Sequence, residues 1–141
     1  MNEQARFVDN GDGTVQDNET GVAWSKKDSF QIEQDWVNFQ EALDFIDNLN
    51  KKDYLGFHDW RMPEKEEIEK LFGEEHSLMA RSKQEIHISP LFEPGGGNGS
   101  WCLPFDQQAA FYLNYQSGLS QTFDKDFSQG YVRPVRLWPD D

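Results

Sequence analysis

The chain has 141 residues and carries 26 acidic against 13 basic side chains, a net charge of −13. That length is one domain's worth, and that charge repels phosphate backbones and sulfated sugars, which argues against general nucleic-acid binding and heparin-like ligands and leaves a basic protein or a cation as the easier partner. Twenty aromatic residues (11 Phe, 5 Trp, 4 Tyr) supply a core, and no apolar run approaches the ~18–20 residues of a membrane span.

Residues 6–24 read as three short strands joined by tight turns. Phe7-Val8 precede Asn10-Gly11-Asp12-Gly13, Thr14-Val15 precede Asp17-Asn18-Glu19-Thr20-Gly21, and Val22-Ala23-Trp24 close the meander. Asn-Gly and Asp-Gly supply the positive φ angles that hairpin turns need. Residues 25–35 read as a polar connection. A helix follows from Asp35 or Trp36 to Asn50, because Trp36, Phe39, Leu43, Ile46 and Asn50 recur at three- and four-residue steps, with Asp35 as the N-cap. Residues 51–62 form a loop. Pro63 then suits a first helical turn, Glu64, Glu66 and Glu67 suit a positive helix N-terminus, and the second helix runs to about Phe72. Residues 73–99 are irregular and end in Glu93-Pro94-Gly95-Gly96-Gly97-Asn98-Gly99, read as a mobile loop. The remainder is β: Trp101–Phe105, Ala110–Gln116, Leu119–Phe123 and Tyr131–Trp138, with Ser117-Gly118 as a hairpin turn. The whole, residues 1–141, reads as one α+β domain with an N-terminal β-meander, two helices and a C-terminal antiparallel sheet.

The motifs argue against catalysis and metal binding. Val8–Glu19 aligns partly with a calcium loop, but Val8 stands where a carboxylate ligand is required, so the segment reads as a hairpin. His58 beside Asp59 is an adjacency, not a catalytic geometry. His76, His87 and the single Cys102 lack zinc-ligand spacing. Cys102, between Trp101 and Leu103, reads as a small buried residue. No cofactor is implied. A lone cysteine forms no intramolecular disulfide, and Met1–Arg6 has no apolar stretch, so no signal peptide is read there.

The aromatic stretch after residue 100 carries the candidate binding surface. Alternation places Phe111, Leu113 and Tyr115 on one strand face and Tyr112, Asn114 and Gln116 on the other. The second face, with loop residues Phe105, Asp106, Gln107 and Gln108 and the glycine-rich loop as a further contributor, is the candidate ligand surface; an ordinary solvated sheet face is the alternative. Trp24, Trp36, Trp60 and Trp101 are expected in or around the core. Arg61 is expected in a buried ion pair or clamped on backbone carbonyls.

Several stretches taken in order resemble the C-terminal domain family of the Legionella collagen-like adhesin. They are Arg6–Asp17 with Thr20–Trp24, the Trp36-led helix, Asp59-Trp60-Arg61-Met62-Pro63, Ser100-Trp101, and Tyr131–Arg136. The resemblance spans nearly the whole chain. It implies a C-type-lectin-like fold, a binding role often in adhesion, and no catalytic residues. Family members pair a helix cysteine with one in the last strand; the corresponding positions here are Ile46 and Pro134, which points to a cytoplasmic or phage-borne version, a processed secreted domain being the alternative. A non-catalytic module for a protein partner is therefore expected, without membrane insertion. A sugar-binding adhesin domain, an enzyme on the formylglycine-generating fold and a homo-oligomerising structural domain are the alternatives. The Glu-Pro-Asn and Gln-Pro-Asp signatures of calcium-dependent sugar sites are absent.

Overall fold

The computed structural model describes residues 5–138. Strands β1 (Phe7–Asp9), β2 (Thr14–Asp17) and β3 (Val22–Ser25) form the expected antiparallel meander. Its turns are built from their own side chains. Asp12 Oδ1 accepts from the Thr14 amide at 3.0 Å and from its hydroxyl at 2.6 Å, Asp9 Oδ1 accepts from Gly11 N, and Gly13 sits at φ 96°. Beyond the second turn, Arg6 forks onto buried Asp17 with two 2.9 Å bonds.

The polar connection after β3 is partly helical. It contains helix α1 (Ser29–Glu33), started by a capping box in which Asp28 accepts from Gln31 N and Gln31 accepts from Asp28 N. The long helix α2 (Phe39–Lys51) starts later than the periodicity predicts, since Asn38 rather than Asp35 caps it, again with a capping box, to Glu41. Val37 pairs with Gly130 in a β-bridge, which holds the chain extended through the first predicted turn. Phe39, Ala42, Phe45, Ile46 and Leu49 form the buried stripe of α2. A 3₁₀ turn, Tyr54–Gly56, follows. Pro63 lies just before the next helix. Glu64 caps α3 (Lys65–Glu69), so this helix is shorter than predicted and Phe72 lies beyond its end.

Residues 73–99 are more ordered than their composition implies. They contain the two-residue strands β4 (Leu78–Met79) and β5 (Glu85–Ile86), and they bury Ala80, Ile86, Ile88 and Phe92. The glycine-rich run is packed, with Gly96, Gly97 and Gly99 buried, so the expected mobile loop is a close-packed strut. Strands β6 (Gly99–Phe105), β7 (Ala109–Asn114) and β8 (Ser120–Asp124) form one antiparallel sheet. The last strand, β9 (Val135–Leu137), does not join it. It pairs with β3 to complete the N-terminal sheet in the order β1-β2-β3-β9.

Two apolar clusters flank the β6–β7–β8 sheet. One packs Trp24, Val15 and Val135 of the N-terminal sheet against Cys102, Leu113 and Tyr115. The other packs the α2 stripe and Trp60 against Trp101, Ala110 and Val132. The Asp-Trp-Arg segment joins these parts. Asp59 takes Arg136 at 2.7 and 3.1 Å. Trp60 is held by Asn50 at the end of α2 (Trp60 N to Asn50 Oδ1, 2.7 Å). Arg61 forks onto Glu67 at 2.9 and 2.8 Å while its backbone bridges Val135.

Three of these carboxyls ionise below their ordinary range. Burial opposes ionisation of Asp17 and Glu67, but the Arg6 and Arg61 forks and neighbouring amides outweigh it. The Arg136 fork does the same for Asp59. Their folded values lie below 3.8, 4.5 and 3.8 respectively. The stability they contribute is therefore complete above those values and is lost as pH falls through and below them. We predict that Asp17→Asn lowers the melting temperature at neutral pH and that its penalty shrinks progressively as pH falls below 3.8. Thermal melts across the acid range check this; an equal penalty throughout that range would remove the Arg6 pair from the account.

Candidate functional site

A cleft of about 370 Å³ opens on the face of the β6–β7–β8 sheet opposite Cys102 and Leu113. Alternation on paired strands puts Trp101, Tyr112, Asn114, Gln121 and Phe123 on this face, since Trp101 is the register partner of Tyr112, and Tyr112 that of Gln121. Other elements complete the walls. Trp36 comes from the segment before α2, Asn98 from the glycine-rich run, Ser117 and Leu119 from the β7–β8 turn, and Ser128, Gln129 and Tyr131 from the approach to β9.

The aromatic rings are held by contacts on several sides. Trp101 is buried and donates its indole N–H to Val37 O at 3.0 Å. Tyr112 meets Trp101 edge-on at 5.3 Å and Phe123 at 6.0 Å, and its hydroxyl donates to Asn98 Oδ1 at 3.1 Å. Trp36 donates its indole N–H to the Tyr131 hydroxyl at 3.1 Å, and Phe30 of α1 packs edge-on against both rings. Two glycines make room for this arrangement. A β-carbon at Gly97 would overlap the Tyr131 ring, and one at Gly130 would lie 2.7 Å from Tyr112 Cε1. Gly97 N also donates to buried Asp28 Oδ2 at 2.6 Å, which ties the glycine-rich run to the cap of α1.

The cleft is uncharged although the chain is strongly acidic. Among the described residues, no Asp, Glu, Lys, Arg, His or Cys lines it. Its polar groups are the amides of Asn98, Asn114, Gln121 and Gln129 and the hydroxyls of Ser117, Ser128 and the two tyrosines. Burial pushes the Tyr112 phenol well above its ordinary 10, so it stays protonated and serves as a neutral hydrogen-bonding group. Cys102 faces the other way. Burial, with the nearby Glu69 carboxylate, pushes its thiol up to about 12. The three histidines lie elsewhere: His58 is exposed near Asp53, and His87 is held by His76 O.

The candidate ligand residues do not form one surface. Tyr112 and Asn114 line the cleft. Gln116 is exposed in the β7–β8 turn and does not line it. Phe105, Asp106, Gln107 and Gln108 form the β6–β7 turn and edge shallow depressions separate from the cleft. There Asp106 Oδ1 caps the turn by accepting from the amides of Gln108 and Ala109, and Phe105 packs against Phe39. Trp24, Trp60 and Trp101 are buried, but Trp36, expected in or around the core, is 46% exposed and forms a wall of the cleft. Arg61 lies in its ion pair with Glu67. The glycine-rich run contributes Asn98, and sequence reasoning missed Gln121, Gln129 and Tyr131. The alternation that selected Tyr112 also places Gln121 and Phe123 on its face once β8 is paired in register, whereas Asn98, Gln129 and Tyr131 arrive only through tertiary packing.

The Lcl C-terminal domain family matches residues 13–136. The chain belongs to that family. The match covers β2 and β3, the helices, the cleft-bearing sheet and the start of β9, and it marks an adhesin-like binding domain. A comparison with curated proteins yields no match.

Two outcomes test this geometry. Gly97→Ala should lower stability in denaturant unfolding by about 1–3 kcal/mol, since the new methyl and the Tyr131 ring cannot both keep their places; wild-type stability would put Tyr131 elsewhere. Cys102 should resist a thiol reagent at pH 8 in the native state and react fully after unfolding, and rapid native labelling would contradict its burial.

Proposed function

We propose that this chain is a non-catalytic recognition module that holds a protein partner in the cleft between Trp36 and the β6–β7–β8 sheet. The observation that carries the reading is the cleft itself: a preformed concavity with aromatic walls and converging amides, placed on a rigid sheet. The lining offers no carboxylate, histidine or lysine to activate its serine hydroxyls, and the one thiol is buried and protonated on the opposite face. Both points favour binding over a thiol mechanism of the formylglycine-generating type.

A protein partner fits the surroundings. Leu119 (61% exposed) and Phe123 (42%) extend the cleft as an apolar rim, and Phe127 (85%) stands beside the lining residue Ser128. Such a rim is broader than one ring-sized ligand covers and suits the buried centre of a protein interface. A neutral saccharide is the second reading, favoured by the pairing of flat aromatic faces with amide and hydroxyl groups. The C-type-lectin-like assignment of this α+β fold belongs to the same proposal.

The test is a pull-down from native lysate with the tagged protein, run beside a glycan array and repeated with Trp36→Ala/Gln121→Ala. Both positions are exposed, so the variant should fold. A protein caught by the wild type and lost by the folded variant is the expected result. Glycan binding lost by the same variant would replace the protein with a sugar, and capture that survives it would move the site out of the cleft.

A further inference from the structure

Trp36 walls two concavities. On one side is the uncharged cleft; on the other is a groove of about 220 Å³ lined by Trp36, Val37 and Phe45 together with Glu33, Asp35, Glu41 and Asp44. All four carboxylates are exposed and, among the described residues, none forms an ion pair with a Lys or Arg. Their hydrogen bonds within the chain are local: Asp35 Oδ1 accepts from Trp36 N, Asp44 Oδ1 from Gln40 Nε2, and Glu41 Oε1 from Asn38 N. The indole already sits near a cation, since the Arg81 guanidinium lies 5.3 Å from the Trp36 ring and 4.0 Å from Phe30.

We infer that the bound segment is a basic peptide, with an uncharged stretch in the cleft and a Lys or Arg reaching past Trp36 into the acidic groove. The inference rests on the reading of the cleft as a protein-binding site. Charge complementarity selects the occupant. Four unneutralised carboxylates around an apolar floor of Val37 and Phe45 repel an acidic or sulfated ligand. They suit a long cationic side chain, whose methylenes cover the floor while its head meets carboxylate and the indole face. The neutral cleft next door makes no demand on charge, so the pair of sites reads a positive residue followed by an uncharged one. A free metal cation is the poorer occupant, because three of the four carboxylates already serve the backbone or a neighbour through one oxygen.

The experiment is selection of a random dodecapeptide display library on the folded protein, followed by affinity measurement of the winning peptides. The comparison proteins are Glu33→Gln/Asp35→Asn/Asp44→Asn, which keeps every local acceptor, and Trp36→Ala/Gln121→Ala. Circular dichroism confirms that both fold. The expected result is enrichment of Lys or Arg beside an uncharged stretch, binding about tenfold weaker in the amide variant, and a salt dependence that shrinks in that variant. Peptides without basic enrichment that still need the cleft would overturn the inference and leave the cleft reading standing. Basic peptides that bind the amide variant equally well would overturn it too. Selection of no peptide would remove both.

Discussion

The segment from Gly130 to Arg136 is buried at every position, and its backbone is shared among almost every other part of the chain. Gly130 pairs with Val37, Tyr131 O accepts from Trp101 N, Val132 exchanges bonds with Ser29, Arg133 N donates to the Ser100 hydroxyl, Pro134 O accepts from Ser25 N, and Val135 bridges Arg61. A buried backbone group without a partner is costly, so each of these bonds is a placement rule for the element that supplies it. The two sheets, α1, the start of α2 and the Asp-Trp-Arg segment are thus positioned against one extended segment near the end of the chain. The cleft inherits its shape from the same segment, because Gly130 and Tyr131 lie in it and Val37 beside Trp36 is paired to it.

Charge is distributed with the same economy of position. Arg133 is fully buried without a carboxylate partner among the described residues; its Nη1 donates to Ser25 O and Lys26 O at 2.9 and 2.7 Å, and its guanidinium lies 4.6 Å from the Phe92 ring. The forked pairs Arg6–Asp17, Arg61–Glu67 and Arg136–Asp59 sit at the junctions between elements, where bidentate geometry orients as well as attracts. Much of the remaining acidic excess is on exposed surfaces, including the groove beside α2. The result is a −13 chain in which a neutral cleft lies next to an acidic groove.

The family motifs become intelligible as scaffold rather than as site. The Asp9–Thr14 turn uses its two carboxylates, Asp9 and Asp12, on its own amides. Asp59, Trp60 and Arg61 each reach a different partner: β9, the core with the end of α2, and α3. Residues that look chemically provocative in sequence are holding backbone in place, and the surface available to a ligand is lined largely by residues outside those motifs. Trp36, Trp101 and Tyr131 belong to both.

The amino-acid sequence by itself determined the meander, the amphipathic face of α2, the alternating faces of β7, the α+β class and the family, because each rests on local periodicity, turn chemistry or an ordered motif. It misplaced the start of α2, since Val37 pairs with Gly130 across more than ninety residues and that pairing overrides the helical spacing of Trp36. It took the glycine-rich run for a mobile loop, where close approach to the Tyr131 ring is the reason for Gly97. It grouped Phe105–Gln108 with Tyr112 because they are neighbours in sequence, although the strand carries the turn away from the cleft. Only the tertiary structure decided that β9 joins the N-terminal sheet, that Trp36 stands exposed between a neutral cleft and an acidic groove, and that Asn98, Gln121, Gln129 and Tyr131 meet there. The physical reason is common to all three: each depends on which distant backbone satisfies a buried hydrogen bond, and that choice is not written in any local pattern.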